Sequence, residues 1–202
     1  MAPARWLQCA LFRLEGVISA LAIQHRYQDL IRIFEQTFFA EYQTRLVKGD
    51  DEPVYLPADK HIPYHRIIFA HGYYASALHE IAHWCVAGAE RRKLEDYGYW
   101  YCPDGRNAEQ QAEFEKVEVK PQAIEWAFSA AAQKPFRVST DNLNGAEPDR
   151  EAFTEAVRKQ ALTYLEKGFP NRVAQFIQAL REFYQTPPLT SATFSEKEPA
   201  CV

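Results

Sequence analysis

The segment of this 202-residue chain best suited to chemistry is His79-Glu80-Ile81-Ala82-His83, in which two histidines stand four positions apart. On an α-helix this spacing places both imidazoles on one face, one turn apart. Both rings can then bind one metal ion at about 2.0–2.1 Å. No helix breaker stands in residues 73–78 before the motif. The pattern predicts a metal site on a helix over about 73–86, with Glu80 as a catalytic residue beside the metal.

A third ligand is available on a second predicted helix, over about 108–132. Glu118 follows His83 by 35 residues, and Glu115 precedes Glu118 by three on nearly the same helix face. The valines on either side of Glu118 suit a semi-buried site, so Glu118 is the favoured ligand and Glu115 the rival.

Two histidines and one carboxylate are compatible with two kinds of chemistry. Around zinc they form the active site of a metallopeptidase, in which Glu80 would act as general base. Around iron(II) they form a facial triad with open positions for dioxygen. Because imidazole binds both metals, the ligand types leave the choice open.

The helices and strands predicted from the sequence indicate an α+β fold. We expect a mainly helical single domain with a few short strands, in which helices carry the candidate metal ligands. Hydrophobic residues make up 47% of the chain and charged residues 25%, which excludes a disordered chain, a collagen and a small disulfide scaffold. Apolar periodicity and turn residues predict helices over 5–42, 73–86, 89–96, 108–132, 148–166 and 171–184. Short strands are expected over 54–56, 66–70 and 97–101.

Composition also bears on partners and location. The net charge of −4 disfavours a protein that binds nucleic acid through phosphates. No uncharged apolar run reaches the length of a membrane span. The four cysteines follow no metal-binding spacing, which favours reduced thiols in a cytoplasmic protein. No coiled-coil pattern is present, so we expect a monomer.

The two ends of the chain are expected to differ from its centre. Residues 1–22 are mostly apolar, but Arg13 and Glu15 interrupt what would be the core of a signal peptide. We interpret 1–22 as an N-terminal extension or the product of a start codon assigned too early. The catalytic domain is expected over 23–190, and 191–202 as a loose tail.

Several long blocks of the chain resemble the bacterial elongation factor P hydroxylases. The resemblance is carried by residues 48–59, 71–85, 96–106 and 117–123, together with Pro135-Phe136 and 141–143. It extends over about 27–188, most of the chain, and leaves the first 22 residues outside.

The resemblance implies an enzyme that hydroxylates a lysine of elongation factor P after other enzymes have β-lysylated that lysine. It implies a metal centre made of His79, His83 and Glu118, holding Fe2+ with dioxygen as cosubstrate and an electron donor that is not identified. The partner would be β-lysylated elongation factor P. A zinc-dependent metallopeptidase is the alternative.

Substrate-binding residues are sought among aromatic and acidic side chains near the blocks that carry the resemblance. Tyr74 and Tyr99 are expected to hold the alkyl chain of the modified lysine, with Tyr73, Trp100 and Tyr101 as further candidates. Asp50 and Asp51 are expected to pair with its amino groups.

Overall fold

Five α-helices and one small sheet make up the described residues, 23–98, 104–142 and 144–195, of a computed structural model of the chain. The helices are α1 (Tyr27–Tyr42), α2 (Tyr74–Val86), α3 (Ala108–Ala131), α4 (Arg150–Lys167) and α5 (Asn171–Tyr184). The strands are β1 (Thr44–Lys48), β2 (Val54–Leu56) and β3 (His65–Phe69), and two short 3-10 turns span Arg91–Lys93 and Ser191–Phe194. The mainly helical α+β prediction is confirmed.

The sheet has the order β1-β3-β2. β1 runs parallel to the central strand, with Thr44 opposite His65, and β2 runs antiparallel to it, with Val54 opposite Ile68. The sequence analysis missed β1, in which only Thr44 and Leu46 are buried among five residues. So short a strand gains most of its stability from its neighbours rather than from its own propensity.

The core is an aromatic cluster at which α1, α2, α3 and α5 meet. Phe34 and Phe38 of α1 lie four residues apart and so share one helix face. Their rings lie 5.0–6.0 Å from those of Trp84 and Phe176, in mostly edge-on geometry. Phe128 of α3 adds an edge-on contact to Phe176 at 5.0 Å. This cluster holds the helices in fixed positions without using any residue of the predicted metal site.

The chain enters α2 from the sheet through a tight turn. His71 and Gly72 both adopt left-handed backbone conformations, with φ of 52° and 77°. A Cβ at Gly72 would lie 3.1 Å from the Tyr27 ring, so both the space and the positive φ favour glycine there. The turn lets a buried strand pass directly into the helix that carries the histidine motif.

Helix α3 runs 24 residues and starts at a capping box. The Asn107 side chain accepts from the Gln110 backbone N–H, and the Gln110 side chain accepts from the Asn107 backbone N–H. Pro121 lies inside the helix, which continues past it. The capping box fixes where α3 begins. Along its length, α3 packs against α2, α4 and α5.

Some predicted elements differ from the structure. Within the described residues the first helix starts at Tyr27, and only Arg91–Lys93 of the predicted 89–96 helix forms, as a 3-10 turn. Ser191–Phe194 is not loose, because Phe194 is buried beside the Trp126 ring. The predicted extension at 1–22, most of the predicted strand at 97–101 and the tail at 196–202 lie outside the described residues. Among the described helices none is long and apolar enough to span a membrane.

Candidate metal centre

Helix α2 has two faces with different roles. Leu78, Ile81 and Cys85 lie on the face that enters the hydrophobic core. His79 and His83 lie on another face and are only partly buried. Their Nε2 atoms are 3.0 Å apart, so both rings point at the same location. The four-residue spacing predicted this arrangement.

Glu118 comes to the histidines from α3. The side chain is almost fully buried, and its two carboxylate oxygens lie 3.2 Å from His83 Nε2 and 3.6 Å from His79 Nε2. Glu115 instead accepts a hydrogen bond from the Gln111 side chain at 2.9 Å. Of the two candidate carboxylates, the structure therefore brings Glu118 to the histidines. The neighbouring Val117 is exposed rather than semi-buried.

The donor atoms of His79, His83 and Glu118 have the spacing that one metal ion requires. They lie within 4.8 Å of one another. Two atoms bound to the same metal at about 2.1 Å, at an angle of about 90–109°, are about 3.0–3.4 Å apart. Two imidazole nitrogens that face each other also need a proton or a cation between them. The three residues therefore fit a metal ion.

Glu125 holds His79 from the side opposite the predicted metal. Its Oε2 lies 2.9 Å from His79 Nδ1. Because an ionised carboxylate only accepts, Nδ1 donates and leaves Nε2 free to bind a metal. The sequence analysis missed Glu125, although its seven-residue spacing from Glu118 places both on one face of α3.

Gln122 ties the Glu118 region to the chain that follows α3. Its side-chain N–H donates to the Ser139 carbonyl at 2.7 Å, and its carbonyl accepts from the Ser139 backbone N–H at 2.9 Å. The same amide group donates to Glu118 Oε2 at 3.4 Å. These bonds restrict the Glu118 rotamer and hold the segment after α3 beside the site.

The charges of the site are strongly coupled. Burial lowers the pKa of His79, but the hydrogen bond that it donates to Glu125 and the charges of Glu118, Glu125 and Glu80 outweigh burial and raise the pKa above its usual value. Burial raises the pKa of Glu118, but the charge and hydrogen bond of His83, the charge of His79 and the hydrogen bond from Gln122 together bring it below its usual value. Without a metal, the site therefore favours a protonated histidine beside an ionised glutamate, and metal binding must release that proton.

Glu80 lies between the two histidines in sequence and lines the cavity in front of them. Burial raises the pKa of its carboxyl group, although the charges of His79 and His83 oppose the effect. Among the described residues, none forms a hydrogen bond with this carboxyl group. Its position beside the donor set matches the predicted location.

A cavity of about 500 Å³ opens onto the donor atoms, which is within the range of small-molecule binding sites. Its walls combine apolar and aromatic groups with carboxyl groups. The residues that line it are Pro53, Tyr73, Ala75, Ser76, His79, Glu80, His83, Tyr97, Gly98, Phe114, Glu118, Gln122, Glu125, Ser139 and Asp141.

Of the predicted substrate-binding residues that the structure describes, Tyr74, Asp50 and Asp51 do not line this cavity, whereas Tyr73 does. Tyr74 is 7% exposed and its hydroxyl donates to Tyr184, because it lies on the core face of α2, four residues before Leu78. Asp50 and Asp51 are exposed between β1 and β2, away from the cavity lining. Tyr99, with Trp100 and Tyr101, lies outside the described residues. Tyr73 is 64% exposed and does line the cavity.

The fold and the site define a class: mainly helical proteins in which two histidines and a glutamate converge at an open cavity. The family model for elongation factor P hydroxylase matches residues 33–194 of the chain. The elongation factor P lysine hydroxylase of Haemophilus influenzae is 57% identical over 164 residues, which cover 81% of this chain and 92% of that relative. The chain belongs to the elongation factor P hydroxylase family, as its resemblance predicted. Neither match supports the metallopeptidase alternative.

Proposed function

We propose that this protein hydroxylates a lysine side chain of elongation factor P at an iron(II) centre formed by His79, His83 and Glu118. The observation that carries the proposal is the convergence of the three donor groups on one point, in a chain that belongs to the elongation factor P hydroxylase family. The lysine comes from the name of the Haemophilus influenzae relative. The proposed form of the substrate is β-lysylated elongation factor P, and we propose a monomer that acts in the cytoplasm.

The two Nε2 atoms and the Glu118 carboxylate would hold the metal on one side and leave the side facing the cavity open. Iron(II), when bound, supplies the activation of dioxygen that oxidation of a C–H bond requires. Insertion of one oxygen atom reduces the other to water, so the reaction also needs a two-electron donor.

The chain's own residues hold the ligands and shape the space for the lysine. Glu125 keeps the His79 Nδ1 proton in place and so fixes the ring orientation. Gln122 restricts Glu118. Glu80 presents a carboxyl group to the cavity, where it would accept or return a proton beside the reacting lysine. Buried packing on the far side of α2 keeps water away from the rear of the site.

The test is the intact mass of β-lysylated elongation factor P after incubation with the protein, iron(II), a reductant and air. We expect a gain of one oxygen atom. The gain should disappear with His79→Ala protein and in an anaerobic reaction. Glu113→Gln, which neutralises an exposed glutamate of α3, should leave the gain intact.

Two results would contradict the proposal. A factor that is shown to be lysylated but gains no mass excludes this substrate under these conditions. Cleavage of the factor or of casein with zinc and without oxygen would instead establish the metallopeptidase activity.

A further inference from the structure

Asp141 is an acidic residue that lines the cavity but belongs neither to the donor set nor to the groups that orient it. It lies after α3 in sequence and lines the same cavity as His79 and Glu118. Its carboxylate interacts electrostatically with Arg106 and also with His79, Asp104 and Glu118. Within the described part of the chain, no group donates a hydrogen bond to this carboxylate. The residue is exposed, so a group that enters the cavity can reach its carboxylate.

The backbone around Asp141 is held firmly by Arg106. This arginine is 1% exposed, and its guanidinium donates to the backbone carbonyls of Thr140, at 3.0 Å, and of Asp141. The guanidinium also lies 3.9 Å from the centre of the Phe114 ring. Because Arg106 donates to these backbone oxygens, it fixes the backbone of Asp141, and its positive charge also favours the ionised form of the Asp141 carboxylate.

Asn142 completes this support from the next position in the chain. Its side chain accepts from the Arg106 backbone N–H at 2.9 Å and donates to the Arg106 carbonyl at 3.0 Å. Asp141 itself has a left-handed backbone with φ of 44°, which aspartate tolerates better than most residues. Buried polar contacts on both sides therefore hold the backbone of Asp141 in place on the cavity wall, and the side chain itself is exposed.

The cavity has the electrostatic character that a cation requires. Four carboxyl groups, from Glu80, Glu118, Glu125 and Asp141, line it, and no lysine or arginine stands among the described lining residues. Glu118 faces both histidines and Glu125 bonds to His79. A protonated amine that enters a partly buried site needs a carboxylate partner to offset its loss of hydration.

We propose that Asp141 is a substrate-positioning residue that accepts hydrogen bonds from a protonated amine of the lysine substrate. The proposal rests on the proposed function, because that function supplies the cationic substrate. Glu80 lies on the ligand helix, one residue from His79, whereas Asp141 comes from a separate element. An ammonium bound by Asp141 would direct the alkyl chain across the cavity towards the donor set. Asp50 and Asp51, which the sequence analysis favoured for this role, lie outside the cavity.

The test compares wild-type protein with Asp141→Asn. Asparagine keeps the size of the side chain and tolerates the positive φ, so the fold should persist. We expect kcat/KM for hydroxylation of elongation factor P to fall about 10- to 100-fold, mainly through a higher KM, since one charge-assisted hydrogen bond is lost. The salt dependence of kcat/KM should weaken, and the affinity for iron(II) should stay within about threefold of the wild-type value.

Glu147→Gln is the matched control, because it removes the same charge from an exposed position in the same connecting segment, outside the cavity. It should retain wild-type KM and salt dependence. If Asp141→Asn fails to fold, Asp141→Gly provides a second charge removal that suits a positive φ. The same rise in KM is expected.

The outcomes separate this inference from the proposed function. Wild-type protein that does not hydroxylate the factor contradicts the proposed function. Active wild-type protein with an unchanged KM in the Asp141 variants overturns only the inference. A loss of iron(II) affinity or of kcat alone in these variants would also overturn it, because Asp141 would then act on the metal centre rather than on the substrate amine.

Discussion

Glu118 and Glu125 lie seven residues apart on α3, yet they meet His79 at opposite edges of its ring. Glu118 lies near Nε2, where it joins the donor set, and Glu125 accepts from Nδ1. One helix therefore supplies both a candidate ligand and the group that orients another ligand. Buried carboxylates of this kind persist because each has a partner that offsets its loss of hydration.

Replacing Glu125 by glutamine should weaken metal binding without removing a ligand. The amide is a poorer acceptor for the His79 Nδ1–H, so ring orientation and basicity both suffer. We expect the affinity for iron(II), or for cobalt(II) as a spectroscopic probe, to fall about 10- to 100-fold. An anaerobic equilibrium titration measures it.

Glu115→Gln is the matched control for that experiment, because it makes the same change on the same helix at a carboxylate that bonds to Gln111 instead of a histidine. It should bind metal as the wild type does. Equal losses in the two variants would show that the charge of α3, rather than the Glu125–His79 hydrogen bond, determines the affinity.

At the scale of elements, the site depends on the contact between α2 and α3. Each helix presents an apolar face to the core and a polar face to the cavity. Neither helix holds the complete donor set, so the site exists only while both are docked. The start of α3 is fixed by the capping box of Asn107 and Gln110.

Asn107→Ala should destabilise the protein by about 1 kcal/mol, because it removes the side-chain oxygen that accepts from the Gln110 backbone N–H. Urea unfolding monitored by circular dichroism measures the loss. Glu113→Gln, which removes an exposed ion pair to Lys116 one turn further on, should change stability by less than about 0.5 kcal/mol. A loss for Asn107→Ala no larger than that of the control would show that the cap does not stabilise α3.

At the scale of the whole molecule, the core and the metal centre are separate. The aromatic cluster of Phe34, Phe38, Trp84, Phe128 and Phe176 joins four helices, and none of its members belongs to the donor set. A protein of this size buries enough apolar surface to fold without a metal. The metal should therefore add stability to a fold that already exists.

Removal of metal by a chelator should lower the melting temperature but leave the protein folded. At free metal 100 times its Kd, the bound ion contributes about 2.7 kcal/mol, which corresponds to about 5–10 °C for a chain of this length. Differential scanning calorimetry with and without chelator measures the shift, and near-ultraviolet circular dichroism reports whether the aromatic core persists. His79→Ala should fold and show no such shift. Unfolding by the chelator alone would indicate a structural metal instead.

The sequence by itself determined what depends on local periodicity. The four-residue spacing of His79 and His83 placed both rings on one helix face, and turn residues marked most helix ends. The sequence also showed the resemblance to the elongation factor P hydroxylases, because blocks of consecutive residues carry it.

Only the tertiary structure decided what depends on how helices rotate and dock. The choice of Glu118 over Glu115 follows from which face of α3 meets α2. Exposed Tyr73 is the extended residue before α2, whereas Tyr74 is the first residue of the helix and is buried in the core. Glu125 and Asp141 lie at the site because elements far apart in sequence pack against each other. Such contacts depend on packing of the whole core, and no local pattern encodes them.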